Sequence, residues 1–173
     1  MHKKLKISVK FFRLLLVILL LNNNANSQYL VSCNFLNSSS SSLLSGATGL
    51  VLDFDVDMYK MTYNTINTQG IPTIATGAFC IPANTTCNNF PFAIYNHGTS
   101  LRKDNVPSYN NSEALIGKVF SAGGYFVCMP DYIGMGDSPG LHPYVHAETE
   151  ATAAIDMVRA AREYLANNTS FMD

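Results

Sequence analysis

Tyr125-Phe126-Val127-Cys128-Met129-Pro130-Asp131-Tyr132-Ile133-Gly134-Met135-Gly136-Asp137-Ser138 decides how the rest of the chain is read. Its first five residues are continuously apolar, as in a strand buried on both faces. Pro130 closes that run, and a glycine-rich segment follows as far as His146. Upstream, Ser112–Ala122 reads as a helix, with Leu115, Ile116, Val119 and Phe120 on one face, Ser112 as cap and Gly123-Gly124 as stop. Before it, Pro91–Tyr95 (PFAIY) is a second short buried strand. Downstream, Glu148–Leu165 is a helix on which Ala151, Ala154, Ile155, Val158, Ala161 and Leu165 recur at helical spacing. Glu148 and Glu150 in its first turn and Arg159 and Arg162 later suit the helix dipole. Further upstream, Tyr59–Thr65 and Ile71–Ile81 flank the turn Asn67-Thr68-Gln69-Gly70 and read as a hairpin. Hairpin, strand, helix, strand, helix is an α/β pattern, with parallel strands covered on both faces. Such a sheet places its chemistry in the loops at the carboxyl ends of its strands. Here those loops are residues 96–109 and 131–146.

The chain has 173 residues, a formal net charge of −1 and only 13% charged residues. Lys3, Lys4, Lys6 and Lys10 precede the apolar run Leu14–Leu21, and Ala25-Asn26-Ser27 puts small residues before Gln28. That order predicts a secretory leader over 1–27 and a secreted, periplasmic or extracellular product, the apolar run being too short for a membrane anchor. No basic cluster remains after leader removal, so neither nucleic acid nor stable membrane insertion is expected. Residues 28–49, with the serine run at 38–42, read as a flexible lead-in to an ordered unit over 50–173. Export favours disulfides. Cys80 and Cys87 flank the turn-rich IPANTT segment and suggest a local bridge, leaving Cys33 and Cys128; the other reading makes Cys128 a buried thiol. Asn37, Asn84, Asn110, Asn167 and Asn168 stand in N-x-S/T sequons.

Asn96-His97-Gly98-Thr99-Ser100 follows a buried strand. A glycine there turns the backbone and exposes N–H groups able to hold the negative oxygen of a tetrahedral intermediate. A plain strand-to-helix turn with His97 bonded locally is the other reading. Asp131 and Tyr132 would shape a pocket floor, or simply cap a turn. His142, His146, Glu148 and Glu150 cluster near a helix start but lack a compact zinc motif, so neither metal nor cofactor is expected.

YNHGTS, GYFVCMPDYIGMGDS, HPYVHAETEA and IDMVRAAREYL, taken together and in this order, resemble secreted lipases of the α/β-hydrolase superfamily across residues 59–165. The resemblance implies the N-terminal part of an α/β-hydrolase fold: a β-hairpin, then parallel β-α-β-α units in an incomplete sheet. It implies a small-molecule ester or lipid substrate, a Ser-His-Asp triad, and an oxyanion loop at His97, Gly98 and Thr99. Gly136-Asp137-Ser138-Pro139-Gly140 matches the elbow motif formally. The residue after the nucleophile must donate its backbone N–H, and Pro139 has none, so Ser138 is read as a turn residue. All three triad members are then expected beyond this chain, leaving it inactive alone. A peptidase of the prolyl-oligopeptidase type, or a non-catalytic secreted remnant or binding module, stands as the alternative.

Overall fold

The computed structural model describes residues 28–87 and 89–168. The predicted leader lies outside them. Among the described residues the elements are β1 (Leu30–Ser39), α1 (Ser41–Thr48), β2 (Asp55–Ile66), β3 (Pro72–Ala83), β4 (Phe92–Ile94), α2 (Ala114–Ala122), β5 (Phe126–Pro130) and α3 (Ala147–Asn167), with a 3-10 turn at Pro107–Tyr109. They build one five-stranded sheet in the order β1-β2-β3-β5-β4. The β1–β2, β2–β3 and β3–β5 pairs are antiparallel, and β4 runs parallel to β5. The sheet is therefore mixed, with β1 and β4 as its edges.

Strand alternation divides the core. On one face Met61, Tyr63, Phe79, Phe126 and Cys128 pack under Met157, Ala160, Ala161 and Leu165 of α3. On the other, Met58, Ala78, Cys80, Val127 and Met129 meet Leu44 of α1 and Ala114 and Ala122 of α2. Neighbouring residues on β3 and β5 thus serve opposite cores, which is why those strands read as uninterrupted apolar runs.

The segment 28–49 is ordered rather than a flexible lead-in: Leu30–Ser39 pairs with β2, and the serine run opens a helix. Ser40 Oγ accepts from Leu43 N–H at 3.2 Å, Asp55 Oδ1 accepts from Ser41 N–H at 2.8 Å, and Gly49 closes the helix in the left-handed region, φ 73°. Serines that look unstructured by composition are good helix caps.

Helix α2 buries Ala114, Gly117, Lys118, Ser121 and Ala122 instead of the expected face, and Leu115 and Phe120 are 42% and 51% exposed. Gly117 is the reason: Met129 occupies the space a β-carbon would need, so the helix lies close to the sheet on its small-residue side. Lys118 is buried with it, its Nζ donating to Asn37 Oδ1 at 2.9 Å and Asn110 Oδ1 at 3.0 Å. Asn111, not Ser112, caps the start, its Oδ1 accepting from Glu113 and Ala114 N–H. On α3 likewise, Ile155 is exposed and Met157 takes a core place that the periodic pattern did not assign.

The cysteines are all free. Cys33 and Cys128 lie on β1 and β5, three strand spacings apart in the sheet order, or about 14 Å, beyond any disulfide span. Cys80 points into the core from an extended strand that continues to Ala83, while Cys87 is exposed beyond it.

Candidate active site

Parallel β4 and β5 deliver their carboxyl-terminal loops side by side. Those loops and the first turn of α3 enclose a concavity of about 250 Å³. His97, Gly98, Thr99 and Ser100 come from the first loop; Tyr132, Met135, His142, Tyr144 and Val145 come from the second; Glu150 comes from α3.

His97 is buried, and both ring nitrogens face carbonyls: Nδ1 that of Gly98 at 2.7 Å and Nε2 that of Asp131 at 3.3 Å. A ring with one proton can donate to only one of them. Gly98 and Thr99 are exposed on the concavity, and among the described residues neither N–H donates to a protein acceptor. The backbone of Gly98 is not left-handed, and a β-carbon there would meet only Glu113 Oε1 at 3.7 Å. Glu113 itself accepts from Tyr95 Oη at 2.6 Å, tying the start of α2 to the end of β4.

Asp131 does not line the concavity. It is fully buried and works as a brace. Its Oδ2 accepts from Thr76 Oγ1 at 2.6 Å on β3, its Oδ1 from Ser108 N–H at 3.0 Å, and its own N–H donates to Thr76 O at 2.8 Å. Burial pushes its carboxyl above the ordinary aspartate range, opposed by the hydrogen bonds from Ser108 and Thr76. Gly136, φ 58°, has no room for a side chain because Thr76 Oγ1 and Asp131 Oδ2 occupy it.

Tyr132 has φ 72°, a left-handed conformation costing a bulky residue about 1–3 kcal/mol. The turn puts its ring on His97, centroids 4.7 Å apart, with Oη donating to His97 O at 3.4 Å. His142 continues the stack at 6.0 Å, and Tyr144 meets His142 edge-on at 4.4 Å. Tyr144 Oη donates to Ser100 O at 2.8 Å. Four rings from two loops therefore hold one wall. Burial, then the charge of Glu150, raises the Tyr132 phenol to about 12.

Ser138 stands apart from that wall. It is buried, its Oγ donates to Ile74 O at 2.8 Å and accepts from Gly134 N–H at 3.0 Å, and among the described residues no imidazole hydrogen-bonds to it. His146 caps α3 by accepting from Thr149 N–H at 3.3 Å, and His142 Nδ1 bonds Ile133 O at 2.8 Å. Among the described residues no group of three His, Cys, Asp or Glu side chains could hold a metal ion. His142 makes the kind of loop hydrogen bond its sequence setting predicts, whereas the sequence reading missed the structural parts of Tyr144 and Glu113. Their recurring polar and aromatic types fit ordinary caps and turns, and only the meeting of two loops distant in sequence gives them a site.

No family model and no curated protein matches the sequence. Solved structures do. A variant of the rice cell wall degrading esterase LipA from Xanthomonas oryzae is similar at 29% identity and a TM-score of 0.74, over 83% of this chain and 39% of that one. A provisionally assigned hydrolase from Legionella pneumophila is similar at 35% identity and a TM-score of 0.72, over 83% and 41%. Candida antarctica lipase A in its closed state shares the fold at 16% identity and a TM-score of 0.51, over 79% and 32%. The chain thus spans about two fifths of the first two structures.

Proposed function

We propose, from the premise that this chain has the α/β-hydrolase fold, that it forms the oxyanion-stabilising side of a carboxylic ester hydrolase exported from the cell. One observation carries the reading: the N–H groups of Gly98 and Thr99 are unspent, exposed and on a concavity at the end of a strand. Donors fixed there meet the charge that develops on an ester carbonyl oxygen without having to reorganise. The esterase structures and the expected leader cleavage before Gln28 support the substrate class and the export.

In this reading the triad serine, acid and histidine belong to residues outside the chain. The serine hydroxyl attacks the ester carbonyl, and its proton passes to the triad histidine. The carbonyl oxygen becomes an oxyanion and is received by Gly98 and Thr99 N–H. The alcohol leaves with that proton, and water resolves the acyl-enzyme. Asp131 and Tyr132 serve indirectly: one holds the loop base against β3, the other packs its ring on His97. The substrate is a small-molecule or lipid ester.

The test uses protein expressed from the gene together with the coding sequence that follows codon 173. Expected are hydrolysis of p-nitrophenyl esters, fluorophosphonate labelling of a serine beyond residue 173, and none at Ser138. Thr99→Pro, which removes one donor, should lower kcat by roughly 10²–10³. Labelling of Ser138, or full activity in Thr99→Pro, would refute the assignment.

A further inference from the structure

The first described residues are held by a clamp that the site chemistry does not use. Glu163 on α3 accepts from Tyr29 N–H through both carboxylate oxygens, each at 3.0 Å, and from Leu30 N–H at 2.8 Å. Asn64 Nδ2 donates to the carbonyl of Gln28 at 2.8 Å, and Asn64 N–H donates to that of Tyr29 at 2.8 Å. The Arg159 guanidinium covers the Tyr29 ring at 5.1 Å. The hold stops at the carbonyl of Gln28. That residue is exposed, and among the described residues nothing engages its own N–H or its side-chain amide. Directly before it stands the small-residue triplet Ala25-Asn26-Ser27.

We infer that Gln28 becomes the N-terminal residue of the exported protein and closes on itself to a pyroglutamyl end. The inference rests on the leader reading given above. Cleavage frees the α-amine of Gln28. That nitrogen attacks Cδ of the same residue's side-chain amide. The α-N–Cδ bond forms, the Cδ–Nε2 bond breaks, and the side-chain nitrogen leaves as ammonia with a proton from the amine. No oxidant or co-reactant takes part. The clamp fixes the carbonyl and the following amides but leaves both reacting groups free. Glu163 is already satisfied by three N–H bonds, so losing a terminal positive charge removes none of its partners. The sealed end offers no α-amine to an aminopeptidase and leads directly into a braced edge strand.

The full chain with its leader, expressed in a secreting eukaryotic host and purified from the medium, provides the test through intact mass, Edman degradation and tandem mass spectrometry of the N-terminal peptide. The expected product starts at Gln28, weighs one ammonia less than encoded, and is blocked to Edman degradation. The Gln28→Ala variant should start at the same position with an open amine. A Gln28 amine that stays open after prolonged warm incubation overturns cyclisation while sparing the cleavage position. A start elsewhere, or retention in the cell with the leader attached, overturns the leader reading and the cyclisation with it.

Discussion

Asp131 shows how a single side chain decides whether the two loops hold their places. Its carboxyl bonds Thr76 and Ser108, and its carbonyl faces His97, so β3, the 3-10 turn and the first loop meet at one residue. Burial raises its folded pKa above the ordinary 3.8. Between those two values the folded chain keeps a proton that the unfolded chain has released, so folding stability falls as pH rises through that window and levels off above it. Asp131→Asn has no such proton. Urea unfolding of both proteins from about pH 3 to about pH 7 should therefore show the wild type losing stability relative to the variant as pH rises. A relative gain would mean that the carboxylate form is the favoured one. Asp131 was legible in the sequence as a residue of the second loop. Its burial was not, because the carboxylate's partners lie on another strand and in a turn that no local pattern connects to it. The left-handed backbone of Tyr132 was equally hidden, since tyrosine carries no signal for that region as glycine does.

At the scale of elements, the strands and helices from β2 to α3 stand where apolar runs and periodicity put them, Gly123 ends α2, and Ala154, Ala161 and Leu165 of α3 are buried as their spacing predicts, while the packing face of α2 and its N-terminal cap differ. Helix α2 misled because its largest apolar residues are not its buried ones: Gly117 permits an approach that Leu115 would obstruct. The segment before β2 reads as unstructured from its serine-rich composition, yet Ser40 caps a helix there. Strand β4 has a different weakness. It pairs with β5 on one side only, and Ile94 on it is 44% exposed. Unpaired, apolar strand edges recruit other chains, and a charge on the edge discourages this. Ile94→Lys should reduce concentration-dependent light scattering of the purified chain, with its denaturation midpoint moved by less than about 1 kcal/mol. Unchanged scattering would locate the self-association elsewhere.

For the whole molecule, the pairing of cysteines expected from export gives way to the geometry of the sheet. Cys80 and Cys128 are buried on opposite faces, and burial pushes the Cys80 thiol up to about 12 and that of Cys128 up as well. Cys33 is partly covered and its thiol is also raised to about 12 by burial, whereas Cys87 is exposed. A chromogenic disulfide reagent at neutral pH should therefore titrate Cys87 rapidly in the native protein and all four thiols in denaturant. Fewer than four in denaturant would reveal a bridge. Twelve register pairs join β2 to β3 across a turn of a few residues, from Asp55 with Ala83 to Ile66 with Pro72. β5 must reach β3 from some fifty residues further along the chain. Short loops close cheaply and long ones late. The hairpin is therefore the segment suited to nucleate refolding, and the concavity, whose walls depend on β5, is among the last features to assemble. Any condition that slows that late step would leave a collapsed, hairpin-bearing chain with no place to bind an ester.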